Sequence, residues 1–249
     1  MTTAVPVVLF HGVREHGDAW SVTPARFTEC VRLVAASGRT PVTVAALSER
    51  LRTGASVEGL VAVSFDDGDA SQLPASVELA AAGIPSSVYV TVEFLGTRGF
   101  LDDAGLRDLA DVDGIEVGSH SVQHVHLDVL GRDALRAQLR DSRAALEDGI
   151  GREVRGLAYP HGSHDSSVMS AAEQEGYVSG AAVRNALSHD GEHPLSVSRL
   201  TVTGATPLPE LEAFLRGEGR LGETRQRLRT RGFRVYRRAR HRLGPRQHG

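Results

Sequence analysis

The 249-residue chain has no lysine, a single cysteine, a single tryptophan and only 5% aromatic residues. One thiol, Cys30, excludes a disulfide framework and a thiolate metal cluster; followed by Val31 and Leu33 in helix-like sequence, it reads as a buried structural thiol. No stretch approaches the roughly 18 uninterrupted apolar residues of a membrane span. The first ten residues lack a positive region, and Pro6 interrupts their apolar run before His11 ends it. They therefore read as a strand rather than a leader, and the expected location is the cytoplasm. The absence of lysine, together with the richness in Ala, Gly and Val, reads as a bias toward GC-rich codons and carries no functional inference.

What is present is enough hydrophobic sequence, 41%, to bury a full core. The net charge of −3 conceals a division. Residues 220–249 carry eleven Arg and one Glu, whereas residues 1–219 carry seventeen Arg against thirty acidic residues. The body and the tail are electrostatically different objects. Arg225, Arg229, Arg237 and Arg240, interspersed with Leu228, Phe233, Val235 and Tyr236, suit either a basic amphipathic helix on an anionic membrane surface or a disordered solvated tail. The first of these would put the protein at the inner face of the membrane. Because the body is acidic, no nucleic-acid partner is expected.

Along residues 1–219, strand-like runs alternate with amphipathic segments, the mark of parallel βα units. Strands are expected at 5–10, 61–65, 87–91, 115–117, 156–159, 177–182 and 195–203. Helices are expected from Thr23, with Pro24 at the first position, to Gly38, and at 73–82, 103–110, 132–147, 165–175 and 209–216. The long helix places Leu135, Leu139 and Leu146 on one face. The expected fold is thus α/β, a single-domain distorted or incomplete parallel (β/α) barrel of about seven strands, followed by the tail.

The titratable groups cluster at expected strand ends. His11 follows the first strand, Asp66 and Asp67 follow Val61 to Phe65, and His120 and His124 follow the run at Ile115. In a parallel barrel all strand C-termini share one face, so these groups converge. Side chains alternate along a strand, so adjacent aspartates reach one cavity only if the strand end loosens, and Gly68 supplies that freedom. One carboxylate with two histidines suits a catalytic Zn²⁺, and the spare carboxylate is free to act as base. A second pair with the same spacing, His189 and His193, encloses Gly191 and precedes Pro194, and reads as a solvated turn.

Phe65-Asp-Asp-Gly68, Gly118-Ser-His-Ser-Val-Gln-His124 and Leu157-Ala-Tyr-Pro-His-Gly162 resemble three successive motifs of the polysaccharide deacetylase family, also called the NodB homology domain or carbohydrate esterase family 4. The opening Val7-Val-Leu-Phe-His-Gly-Val13 is similar to the start of many members. The resemblance covers roughly residues 5–216. It implies that Asp67, His120 and His124 bind the metal, most simply Zn²⁺ with Co²⁺ or Ni²⁺ as alternatives, and that Asp66 is the general base. It also implies that the backbone N–H of His161 holds the oxyanion, with Tyr159 and Pro160 forming part of the wall around the acyl group.

Two departures stand out. The third motif usually carries an Arg where this chain has Ala158, so the base needs another partner, and Arg199 in the late strand is the candidate. Residues 195–203 also lack the late histidine that commonly acts as general acid, which makes His11 the first candidate, with His161 and His126 behind it. The implied reaction is removal of an N-acyl, most often N-acetyl, group from an amino sugar. Few aromatics leave few platforms for a long glycan, which favours a small or lipid-linked substrate. A cyclic amide or imide hydrolase and a non-catalytic carbohydrate-binding module are the alternatives.

Overall fold

Val7–Phe10 is apolar at every position, and Leu60–Phe65 at all but Ser64, the pattern of strands covered on both faces; both are buried throughout. In the computed structural model, which describes residues 2–16 and 18–222, these two segments pair side by side in a parallel barrel. In chain order the elements are β1 (Ala4–Val5), β2 (Val7–Phe10), α1 (Pro24–Ala36), β3 (Thr40–Val42), α2 (Val44–Thr53), β4 (Leu60–Phe65), α3 (Gln72–Ala81) and β5 (Ser86–Val90). They continue as α4 (Asp103–Asp111), β6 (Ile115–Ser119), α5 (Arg132–Ile150), β7 (Gly156–Ala158), α6 (Ser166–Gln174), β8 (Ser179–Val183), β9 (Ser188–His189), β10 (Val197–Thr201) and α7 (Leu208–Leu215).

Seven strands form the barrel in the cyclic order β2, β10, β8, β7, β6, β5, β4 and back to β2. The β2–β4 register runs from Val7 opposite Ala62 to Phe10 opposite Phe65, and β2 meets β10 on its other side. The barrel is uneven: β6 and β7 share a single register pair, Ser119 with Leu157. Strand β3 adds to β4 outside the ring, and β1 pairs antiparallel with β9.

The expected helices form where the sequence places them, and for the expected reasons. Thr23 caps α1 by accepting from the Arg26 N–H, Pro24 occupies its first turn, and Phe27, Cys30, Val31 and Val34 face the core. Burial pushes the Cys30 thiol up to about 11, which makes it inert. Leu135, Leu139 and Leu146 of α5 are buried as their spacing predicts.

The segment between Gly38 and Val61, for which the apolar pattern predicts no element, holds β3 and α2. The helix buries Val44, Leu47 and Ser48 and packs Leu51 against the same core, a helical spacing easily passed over because it is short and one of its positions is a serine. The helix closes the N-terminal end of the barrel. Its Val44 N–H donates to Ser87 Oγ and its Ala45 N–H to Glu116 Oε2, while Ser48 Oγ lies 2.9 Å from Ser179 Oγ. Val5, Val7, Leu60, Ala62, Tyr89, Ala158, Ala181 and Val197 pack above it as an inner core. With this end sealed, the opposite end, where the strand C-termini gather, is left for a site. Residues 223–249, and with them most of the Arg-rich tail, lie outside the described residues.

Candidate active site

Among the described residues five non-glycine positions have positive φ, and four of them, Asp67, Ser121, His124 and His161, stand at the C-terminal end of the barrel. Each costs on the order of 1 kcal/mol or more, and such strain gathers where a side chain must be aimed. Asp67 at φ 83° is followed by Gly68 at φ 85°, a double left-handed step that turns both aspartates into one cavity. A Cβ at Gly68 would sit 2.9 Å from Val90 Cγ1, so glycine is required for space as well as for φ.

The two steps bring three donors together. Asp67 Oδ1 lies 3.5 Å from His120 Nε2 and 3.3 Å from His124 Nε2. Bonds of roughly 2.0–2.2 Å to a tetrahedral ion separate neighbouring donors by about 3.3–3.5 Å. Asp67 Oδ1 is buried and accepts no hydrogen bond, so the donor set fits a divalent cation. His120 Nδ1 lies 2.9 Å from the Ala158 carbonyl oxygen, which can only accept; Nδ1 therefore carries the proton and Nε2 keeps its lone pair for the cleft. Burial lowers the His120 imidazole to about 3 and also lowers His124, so both rings are neutral donors. Burial raises the Asp67 carboxyl to about 6 despite the opposing influence of His11, a cost that a bound cation would offset.

The loop carrying the histidines is held from outside the cleft. Gln138 of α5 accepts from the Val122 and Gln123 N–H groups, and Ser121 Oγ accepts from the His124 N–H. The His124 ring packs 5.7 Å from Phe94 and 4.5 Å from His161.

Asp66 is 2% exposed and receives a two-pronged contact from Arg199, with Nη1 and Nη2 each 2.7 Å from a carboxylate oxygen. Burial alone would raise this carboxyl, but Arg199 and then His120 outweigh it and hold Asp66 at about 2. The guanidinium is fully buried and also donates to Ser64 Oγ and the Ala182 carbonyl. Asp66, Asp67, His120 and His124 open on a cleft of about 500 Å³ that His11 and His161 also line. An ionised carboxylate held beside three donors that fit a cation is chemically suited to take a proton from water.

A family profile described as polysaccharide deacetylase matches residues 53–180. The chain belongs to the polysaccharide deacetylase family. It is accordingly a hydrolase that cleaves the amide bond of N-acetyl groups. YxkH of Bacillus subtilis (strain 168), a polysaccharide deacetylase by name, is 20% identical over 80% of this chain and 71% of its own length. The Streptococcus pyogenes deacetylase PplD, solved in complex with acetate, superposes with a TM-score of 0.75 at 16% identity, covering 85% of this chain and 97% of PplD. BC0361, a polysaccharide deacetylase from Bacillus cereus, gives a TM-score of 0.74 at 22% identity over 86% of this chain and 69% of BC0361. These structural likenesses are likenesses of fold.

Against the family pattern, Ala158 in place of the usual Arg leaves Asp66 with a partner all the same, because Arg199 reaches it from β10. Two expectations need correction. Tyr159 and Pro160 do not line the cleft: Tyr159 is fully buried, donates its hydroxyl to the Leu195 carbonyl and stacks on His164 at 4.4 Å. The chain bends at His161, φ 59°, so of this trio only His161 faces the cavity. His126 packs against the His161 ring at 4.1 Å and is not part of the lining. His189 ends β9 and His193 follows the turn after it, and each accepts from a backbone N–H two residues on.

Several lining or supporting residues have no motif to announce them. Gln72 Nε2 donates to the His11 carbonyl and also to that of Asp66, tying two strand ends together. Arg14 pairs with Asp69, and Trp20, Arg98 and Phe100 complete the cleft. The only sequence signal for these is Asp69, two positions beyond Asp67, and the single tryptophan placed soon after His11.

Proposed function

We propose that the protein is a metal-dependent N-deacetylase acting on an amino sugar, with Asp66 as base. The observation that carries this reading is the pairing of an unpartnered Asp67 oxygen and two neutral imidazoles with an ionised, Arg-held carboxylate in the same cleft. Asp67, His120 and His124 would hold the cation, and two nitrogens with one oxygen favour Zn²⁺, with Co²⁺ or Ni²⁺ as competent substitutes. Such a cation acidifies water and polarises an amide carbonyl.

The chain's own groups account for the proton movements. Asp66 takes a proton from water as its oxygen adds to the acetamide carbon. Arg199 keeps Asp66 ionised and fixes both its oxygens, so the base needs no reorganisation at that moment. The His161 N–H donates to the oxygen that becomes negative. His11, whose Nδ1 is buried without a hydrogen-bond partner at the end of β2, protonates the departing nitrogen as the C–N bond breaks, releasing acetate and the free amine.

A panel of acetamido sugars and ring amides, assayed with added Zn²⁺ against the Asp66→Asn variant, tests the reading. Acetate release from the sugars, abolished in the variant, is expected. Hydrolysis confined to ring amides would overturn the substrate, and full activity in Asp66→Asn would overturn the base. The scarcity of aromatics favours a small or lipid-linked amino sugar over polymer; faster turnover of polymeric chitin than of monosaccharide conjugates would contradict that preference.

A further inference from the structure

Trp20 is the only tryptophan of the chain, and its side chain is out of place by ordinary burial rules: it is 58% exposed, the one large aromatic so exposed among the described residues. It is not on a random surface. The indole lines the cleft, with its ring centroid 5.8 Å from that of His11. The loop that presents it is fixed by local bonds. Asp18 Oδ1 accepts from the Trp20 N–H and from Ser21 Oγ, each at 2.9 Å, and the Val22 N–H returns to the Gly12 carbonyl at 3.0 Å. A bulky apolar surface held open toward a cleft by polar anchors is the arrangement of a ligand platform.

The neighbours narrow the ligand. An indole face is flat and electron-rich, and suits the weakly positive C–H face of a pyranose ring. Ring hydroxyls at the sugar's edge need polar partners, and the guanidinium of Arg98 lines the same cleft without an ion pair to any described residue. A single exposed aromatic holds one ring, not a run of rings. We propose that Trp20 is the stacking platform for one pyranose, the ring that bears the amide to be cleaved. This rests on the deacetylase reading for the identity of the amide, but not for the presence of the sugar.

Because the chain has one tryptophan, its emission reports occupancy directly. The Zn²⁺-loaded Asp66→Asn protein, titrated with the disaccharide of N-acetylglucosamine, should show a saturable change in emission intensity or wavelength. In the otherwise unaltered enzyme, Trp20→Ala should raise KM for that disaccharide about tenfold or more with kcat changed less than about twofold, and Trp20→Phe should recover most of the lost KM. Unchanged KM in Trp20→Ala, or a loss confined to kcat, would overturn the platform, as would emission indifferent to saturating sugar. Saturable emission in a protein that releases no acetate from any amino sugar would leave the platform standing and overturn the deacetylase reading instead.

Discussion

The contact between Asp66 and Arg199 removes two full charges from water, so its worth lies in the penalty for breaking it. Loss of one partner from such a buried pair costs about 3–5 kcal/mol. Arg199→Ala is therefore expected to lower the unfolding free energy by about that amount and turnover by about 100-fold or more, while Zn²⁺ binding at Asp67, His120 and His124 persists; calorimetry and metal analysis of the variant check both halves. Arg199→Lys should not restore turnover, since an ammonium cannot meet two oxygens side by side. The same pair sets a pH response. Asp66 sits at about 2 when folded, below its ordinary 3.8, so its contribution to stability is complete above about pH 4 and is lost as the pH falls through about 2. In Arg199→Ala the acid limb of kcat/KM should move upward, because burial then acts with less opposition. For His11→Ala, the expected change is a fall in kcat of about 100-fold or more; unchanged kcat would remove His11 as proton donor. Much of this was legible in the chain, because Asp66, Asp67, His120 and His124 lie in two short local motifs at strand ends. Tyr159 and Pro160 differ from the expectation for a physical reason: Ala158 faces the inner core, so alternation along the strand turns Tyr159 the other way, and the chain enters the cleft only at His161.

At the scale of elements, the strands and helices with strong periods were readable to within a few residues, and those that escaped have weak periods or serve as fittings. The helix α2 is the clearest instance. It is ten residues long, capped by Thr43, and turns one narrow face to the barrel floor. Leu47→Ala should cost about 2–5 kcal/mol in a chemical-denaturation curve, because the residue is fully buried beneath the inner core. Since Leu47 is at the far end of the barrel from the cleft, kcat at a temperature where the variant is folded should stay near its starting value. Gly118 of β6 carries a second constraint. An added Cβ there would lie 2.4 Å from Tyr89 Cδ1, inside the barrel and close beneath Arg199, whose guanidinium carbon is 5.6 Å from the Tyr89 ring centre. Gly118→Ala is expected to cost about 1–3 kcal/mol through overpacking, and relief of that loss by a smaller residue at position 89 would locate the clash. A sequence reading takes Gly118 as part of a motif; only the packed barrel shows the aromatic ring that requires it.

For the molecule as a whole, the seven-strand closure makes one end a floor and the other a mouth, and the mouth collects groups from β2, β4, β6, β7 and β10. A cation held there by Asp67, His120 and His124 would join β4 to the loop after β6 and would stabilise the folded state by mass action. Zn²⁺ at 100 times its dissociation constant should add about 2.7 kcal/mol, read as a rise in Tm that is lost in His120→Ala. Chelation should abolish acetate release, and added Zn²⁺ should restore it. The order of strands around the ring has a further consequence, in time rather than in space. The ring is completed where the N-terminal strand β2 meets β10, so the first strand of the barrel to leave the ribosome waits for the last. The Asp66 and Arg199 contact bridges 133 residues, a long loop to close before any return. Until β10 docks, Asp66 is a carboxylate without its guanidinium. Activity is therefore the last property a refolding chain should regain, after its helices and most of its sheet are in place.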